Sequence, residues 1–290
     1  MARYGHMRGW GKVLARQYRP EAHRTESDMV KRAGNRNIRA VQGLSLRRER
    51  RQKSETRCSG SAMLKQFSHE IWISDGPGVV VAGFHYPTRM AVIRLSEGLF
   101  IWSAIRLTES LRAEVDALGQ VRHIVAPNSL HHLFIPEWKS AYPGAKVCAA
   151  PGLRKKRKDI VFDADLGPTP SPDWAKEIDQ VLVQGNLITT EVVFFHVKSG
   201  TVLFADLLQQ LPAGSFSGWR ALVAKLDLMV GPEPSVPRKF RIAFTNRRAA
   251  RVSLERIFAW PAEKVLMAHG TPVEKDARAF LRRAFGWLAA

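Results

Sequence analysis

Four side chains able to bind a metal ion stand just after short apolar runs. His131 and His132 follow Val121–Val125, Asp206 follows Val202-Leu203-Phe204-Ala205, and His269 follows Val265-Leu266-Met267-Ala268. Apolar runs of that length read as strands, and side chains at the ends of neighbouring strands converge on one rim. Imidazole and carboxylate are ligands that zinc, iron and manganese all accept there. One histidine at a strand end is ordinarily a hydrogen-bonded residue, and an aspartate after an apolar strand is ordinarily a helix N-cap. Four such positions in chain order are harder to assign to packing alone. Asn128 and Asn186 are expected to offer hydrogen bonds to a substrate oxygen, against the alternative that they shape their own loops. His123 and His196 lie inside strand patterns and read as structural. The cluster Arg154–Lys158 reads as a solvated basic face, with binding of an anionic substrate as the alternative.

The elements that must position these residues begin at Met63. Strands are expected at Ile71–Ser74, Val79–Phe84, Met90–Leu95 and Leu99–Ser103, with turns at Gly76-Pro77-Gly78 and Ser96-Glu97-Gly98. Thr108 is suited to cap a helix whose stripe Leu111, Val115, Leu118 ends at Gly119. A strand at Val121–Val125, a helix through Trp138–Tyr142 and a strand at Lys146–Ala149 follow. Residues 151–173 read as loop. Strands resume at Gln180–Val183, Glu191–Val197 and Thr201–Ala205, followed by helices near Trp219–Met229 and Ala249–Trp260, the strand Val265–Ala268 and a helix over Glu274–Leu288. Two sets of strands, each followed by helices, suggest two sheets packed face to face with helices outside.

The stretches Arg89–Leu95, Val125-Ala126-Pro127-Asn128 with His131-His132, Tyr142–Ala145, Pro151-Gly152-Leu153, Val202–Asp206 and Ala268-His269-Gly270 together resemble the metallo-β-lactamase superfamily. They are most similar to a branch defined as a domain of unknown function, with a Pro-Asn…His-His loop in place of HxHxDH. The resemblance runs from about Glu70 to the C-terminus. It implies an α/β (α+β) fold, a four-layer αββα sandwich, over residues 63–290. Laying the HxHxDH loop over Pro127–His132 puts Pro127 and Ser129 at the first two histidines, and Asn186 falls at the third. The first metal position therefore lacks its ligands. His131, His132, Asp206 and His269 remain for the second, which implies one divalent ion (zinc, iron or manganese) or none.

Composition bounds the remaining readings. The chain has 290 residues, 45% hydrophobic and 24% charged, with a formal net charge of +19. More than half of that excess falls in residues 1–62, where Lys and Arg outnumber Asp and Glu about three to one. That segment has no sustained apolar periodicity. It is expected to be a disordered basic extension, most simply explained by a start assigned upstream of Met63, with nucleic-acid binding or a transit peptide as alternatives. Cys58 and Cys148 suggest no disulfide framework. No apolar run is long enough to span a membrane, no secretory signal is legible, and a cytoplasmic location is expected. The expected function is a metal-dependent hydrolase acting on a small molecule, with Asp206 as a ligand or as general base. The alternative is a metal-free, non-catalytic domain in which Asp206 caps the next helix.

Overall fold

The computed structural model describes residues 63–81 and 83–289, within the unit Met63–Ala290. The expectations for the extension at 1–62 and for Cys58 lie outside the described residues. Two sheets form. The first runs in the order β1 (Lys65–Ser68), β2 (Ile71–Val81), β3 (Phe84–Leu95), β4 (Gly98–Trp102), β5 (Val121–Ala126), β6 (Lys146–Ala149), β7 (Ala164–Asp165). Its first four strands are an antiparallel meander, and β4 to β7 are parallel. The second has the order β11 (Lys264–His269), β10 (Thr201–Gln209), β9 (Glu191–His196), β8 (Ile178–Val183).

Alternation along the strands explains the layering. On β9, β10 and β11, Val192, Phe194, Leu203, Ala205, Leu266 and Ala268 join the core shared with the first sheet. The intervening Val193, Phe195, Val202, Phe204, Val265 and Met267 face a second core closed by helices. A strand covered on both faces must be apolar at every position, which is why these segments read as continuous hydrophobic runs. The helices of the second core are α5 (Arg238–Ala243), α6 (Arg247–Ala259) and α7 (Ala277–Ala289), supplying Phe240, Leu254, Ile257, Phe280 and Phe285. Helices α1 (Glu109–Leu118) and α2 (Ile135–Ala141) bury Leu111, Val115, Ile135 and Trp138. Thr108 caps α1 as expected, accepting from Leu111 N at 3.2 Å, and Gly119 ends it at φ 144°. Short helices α3 (Leu153–Lys156) and α4 (Gly218–Leu226) lie between these elements.

Three departures from the sequence reading bear on the site. Gly76-Pro77-Gly78 is not a hairpin turn; it is a bulge inside β2, where three residues advance from Gly76↔Thr88 to Val79↔Tyr86. A Cβ on Gly76 would lie 2.6 Å from Thr88 Oγ1 and 2.8 Å from Ile105 Cβ, so glycine permits the close approach to β3 rather than a reversal. The reversal comes instead at Gly83 (φ 80°), so β3 is 12 residues long and reaches the rim with Pro87 and Arg89. Second, Asp206 does not end a strand or cap a helix: β10 continues to Gln209, with its register against β11 broken between Phe204 and Gln209. Third, residues 151–173 are not loop throughout but contain α3 and β7.

Candidate metal centre

Each group reaches the rim from a different element. His131 comes from the loop after β5, Asp206 from the irregular part of β10, and His269 from the end of β11. One ligand-type atom from each lies within 4.8 Å of the other two. His131 Nε2 is 3.1 Å from Asp206 Oδ2, and His269 Nε2 is 3.5 Å from Asp206 Oδ1, so the two imidazoles face opposite oxygens of one carboxylate. The side chains are 11%, 8% and 6% exposed for His131, Asp206 and His269, which leaves His131 the most open to a small molecule.

The irregularity of β10 has a local cause in Glu191, which the sequence reading passed over. Its fully buried carboxylate accepts from the backbone N–H groups of Ala205 (2.8 Å), Asp206 (2.7 Å) and Leu207 (3.2 Å). Donors that leave the ladder must find another acceptor, and Glu191 supplies it from the adjacent strand. Asn128 Nδ2 bridges the two acids, donating to Asp206 Oδ2 at 2.7 Å and Glu191 Oε2 at 3.2 Å. Gln209 Nε2 donates to Asp206 Oδ1 at 3.1 Å. Burial pushes the Glu191 carboxyl up to about 7, with the neighbouring Asp206 charge adding to it. Burial also opposes ionisation of Asp206, but the charges and hydrogen bonds of His131 and His269 outweigh it and hold that carboxyl well below the usual range.

The outer nitrogens fix what the inner ones can do. His269 Nδ1 is 2.6 Å from the carbonyl oxygen of Pro87; a carbonyl can only accept, so Nδ1 carries a proton. With Nδ1 protonated, Nε2 is the atom left to face the Asp206 carboxylate, which it meets through a proton of its own or through a metal ion between them. Imidazoles oriented by a carbonyl behind them are the usual support of metal ligands. The donor set, two imidazoles and one ionised carboxylate, fits a divalent transition metal and leaves coordination positions open.

The other expected residues are placed differently. His132 lies outside the grouped atoms: Arg157 donates to its Nδ1 at 2.7 Å, and burial, with Lys156 and Arg157 nearby, brings it down to about 3. The group within 4.8 Å thus holds three of the four residues expected as ligands. Asn128 is 0% exposed, and besides the bridge just described its Oδ1 accepts from Leu130 N and His131 N. Asn186 donates to Phe240 O and accepts from Ile188 N and Thr189 N. Both amides are engaged by the chain itself. Ser129, at a missing ligand position, meets Thr189 Oγ1 at 3.3 Å. His123 and His196 are buried in the strands, as the sequence reading has them. A lone acid opening the all-apolar run Val192–Phe195 is the signal that would have singled out Glu191.

Residues 69–217 match the model of the family described as Domain of unknown function (DUF4336). The chain belongs to this family. The matched span holds His131, Glu191 and Asp206, whereas His269 lies beyond it. DUF4336 is here built on the metallo-β-lactamase fold. The chain is similar to the DIM-1 metallo-β-lactamase exposed to ceftazidime at 16% identity and a TM-score of 0.54, covering 79% of this chain and 96% of that one. It is similar to a metallo-β-lactamase from Pontibacter korlensis at 13% identity and TM-score 0.53, covering 79% and 99%. FIM-1 from Pseudomonas aeruginosa, in its mono-zinc form, gives 12% identity and TM-score 0.51, covering 79% and 97%. The sequence matches no curated protein. No helix among the described residues is long and apolar enough to cross a membrane.

Proposed function

We propose that residues 63–290 form a metal-dependent hydrolase domain that holds a single divalent ion, zinc, iron or manganese, between His131, Asp206 and His269. The observation that carries this reading is the convergence of two Nε2 atoms on the two oxygens of one buried carboxylate, with His269 Nδ1 bound to the Pro87 carbonyl. A divalent ion there supplies Lewis acidity and brings the pKa of water toward about 7. The chain's own residues hold the geometry. Asn128 and Gln209 each donate to one Asp206 oxygen, which keeps the carboxylate from rotating. With both oxygens facing imidazole Nε2 atoms and each held by an amide donor, Asp206 acts as ligand rather than as general base. The substrate is a small molecule that approaches from the His131 side. FIM-1, a lactamase of the same fold, was itself crystallised in a mono-zinc form, so the fold is compatible with one ion.

The test is metal analysis of full-length, tag-free protein after exposure to zinc, iron(II) or manganese. About one equivalent is expected, falling below about 0.1 in His269→Ala and in Asp206→Asn. Less than about 0.1 equivalent of every metal in the wild type would sink the proposal. It would leave the metal-free domain, in which His131 pairs directly with Asp206 at 3.1 Å.

A further inference from the structure

His131 lacks a carbonyl behind it, and a side chain does the corresponding work. Ser103 follows β4 and is 3% exposed. Its Oγ lies 2.9 Å from Arg89 O and 2.8 Å from His131 Nδ1. A hydroxyl has one proton, and the Arg89 carbonyl can only accept, so that proton goes to Arg89 O. Ser103 Oγ must then accept from His131, which places the imidazole proton on Nδ1 and leaves Nε2 facing Asp206. Strand β3 thus orients both histidines: His269 directly through Pro87 O, and His131 through Ser103 resting on Arg89 O.

Ser103 has φ 54°, in the left-handed region that a side chain disfavours and glycine enters freely. Glu70, Leu228 and Asp276 share that region, so the backbone assigns no role by itself; what separates this serine from a glycine is the hydroxyl and its two contacts.

We propose that Ser103 is a positioning residue that locks His131 in its Nδ1–H tautomer, so that Nε2 is the atom offered to a metal ion. The inference rests on the reading of His131, Asp206 and His269 as ligands, but its first readout needs no metal. In metal-free full-length protein, long-range ¹H–¹⁵N spectra report whether Nδ1 of His131 carries a proton. Wild type is expected to show Nδ1–H, and Ser103→Gly is expected to shift toward Nε2–H. Zinc competition titrations should then show about 10- to 100-fold weaker binding in Ser103→Gly, while its melting temperature stays within about 4 °C of wild type because backbone relief offsets the lost bonds. Ser103→Thr should do the reverse, since it keeps Oγ but is β-branched in the left-handed region: zinc affinity within about 3-fold, with a lower melting temperature.

A wild type with no proton on Nδ1, or an Nδ1 proton and a zinc affinity both unchanged in Ser103→Gly, overturns the proposal. A protein that binds no metal but shows the tautomer shift would overturn the metal reading and leave the role of Ser103 intact.

Discussion

Asn128 shows how much of the site is decided by one short side chain. Its amide donates to two carboxylates that would otherwise face each other unshielded, while its carbonyl holds the N–H groups of Leu130 and His131. Asn128→Asp preserves shape but replaces the donor with a third acid. The expected loss is about 3–5 kcal/mol at pH 7, seen as a large fall in the urea midpoint; a midpoint matching wild type would show that the bridge is dispensable. At this scale the sequence was informative about residue type and uninformative about direction. His131, Asp206 and His269 stood out as ligand-type groups just after apolar runs, although only His269 ends its strand. His132 was not separable from His131, because its orientation depends on Arg157, 25 positions later. Ser103 and Glu191 were missed because an isolated serine or glutamate has no spacing to read.

The elements place these groups through irregularities rather than through regular structure. The broken register of β10 is what lets Asp206 leave an all-buried strand, and Glu191 stabilises the break by accepting three backbone donors. Glu191→Ala strands those donors in the core. About 4 kcal/mol of destabilisation is expected, together with faster hydrogen exchange at Ala205, Asp206 and Leu207 than elsewhere in β10. Uniform exchange along the strand would count against Glu191 as the support of the break. Most strands and helices could be placed from apolar periodicity and caps such as Thr108. The bulges could not: Gly76-Pro77-Gly78 has turn composition, and only its packing against Thr88 and Ile105 shows that the glycines admit a neighbour.

For the whole molecule, two cores fill opposite faces of one four-stranded sheet, so every inward polar group on that sheet is costly. His196, 0% exposed at the end of β9, is such a group, with Nδ1 against Ser199 Oγ at 2.8 Å. Burial is the leading cause that brings it down to about 4. An unfolded histidine titrates near about 6.5, so below that pH the unfolded chain takes up a proton that the folded chain refuses. The stabilisation is complete above about pH 6.5 and is lost as pH falls toward about 4. Glu191, raised to about 7, acts in the opposite sense and His132, lowered to about 3, in the same sense. The His196 share is therefore the difference between wild type and His196→Phe, whose urea midpoint should fall less as pH drops across that window; an equal slope in the variant would remove His196 as a cause. The four-layer order was legible in the alternation of two strand-rich halves, whereas the tertiary assembly of the rim was not. That assembly also sets a sequence in time. The contact between His269 and Pro87 closes a loop of 182 residues, and His131 and Asp206 lie 75 positions apart, so the centre is made of pairings far apart in the chain. Pairings of that kind form late. On the metal reading, a nascent chain would not retain an ion here until β11 had emerged and docked beside β10, so loading would follow the completion of folding and could not nucleate it.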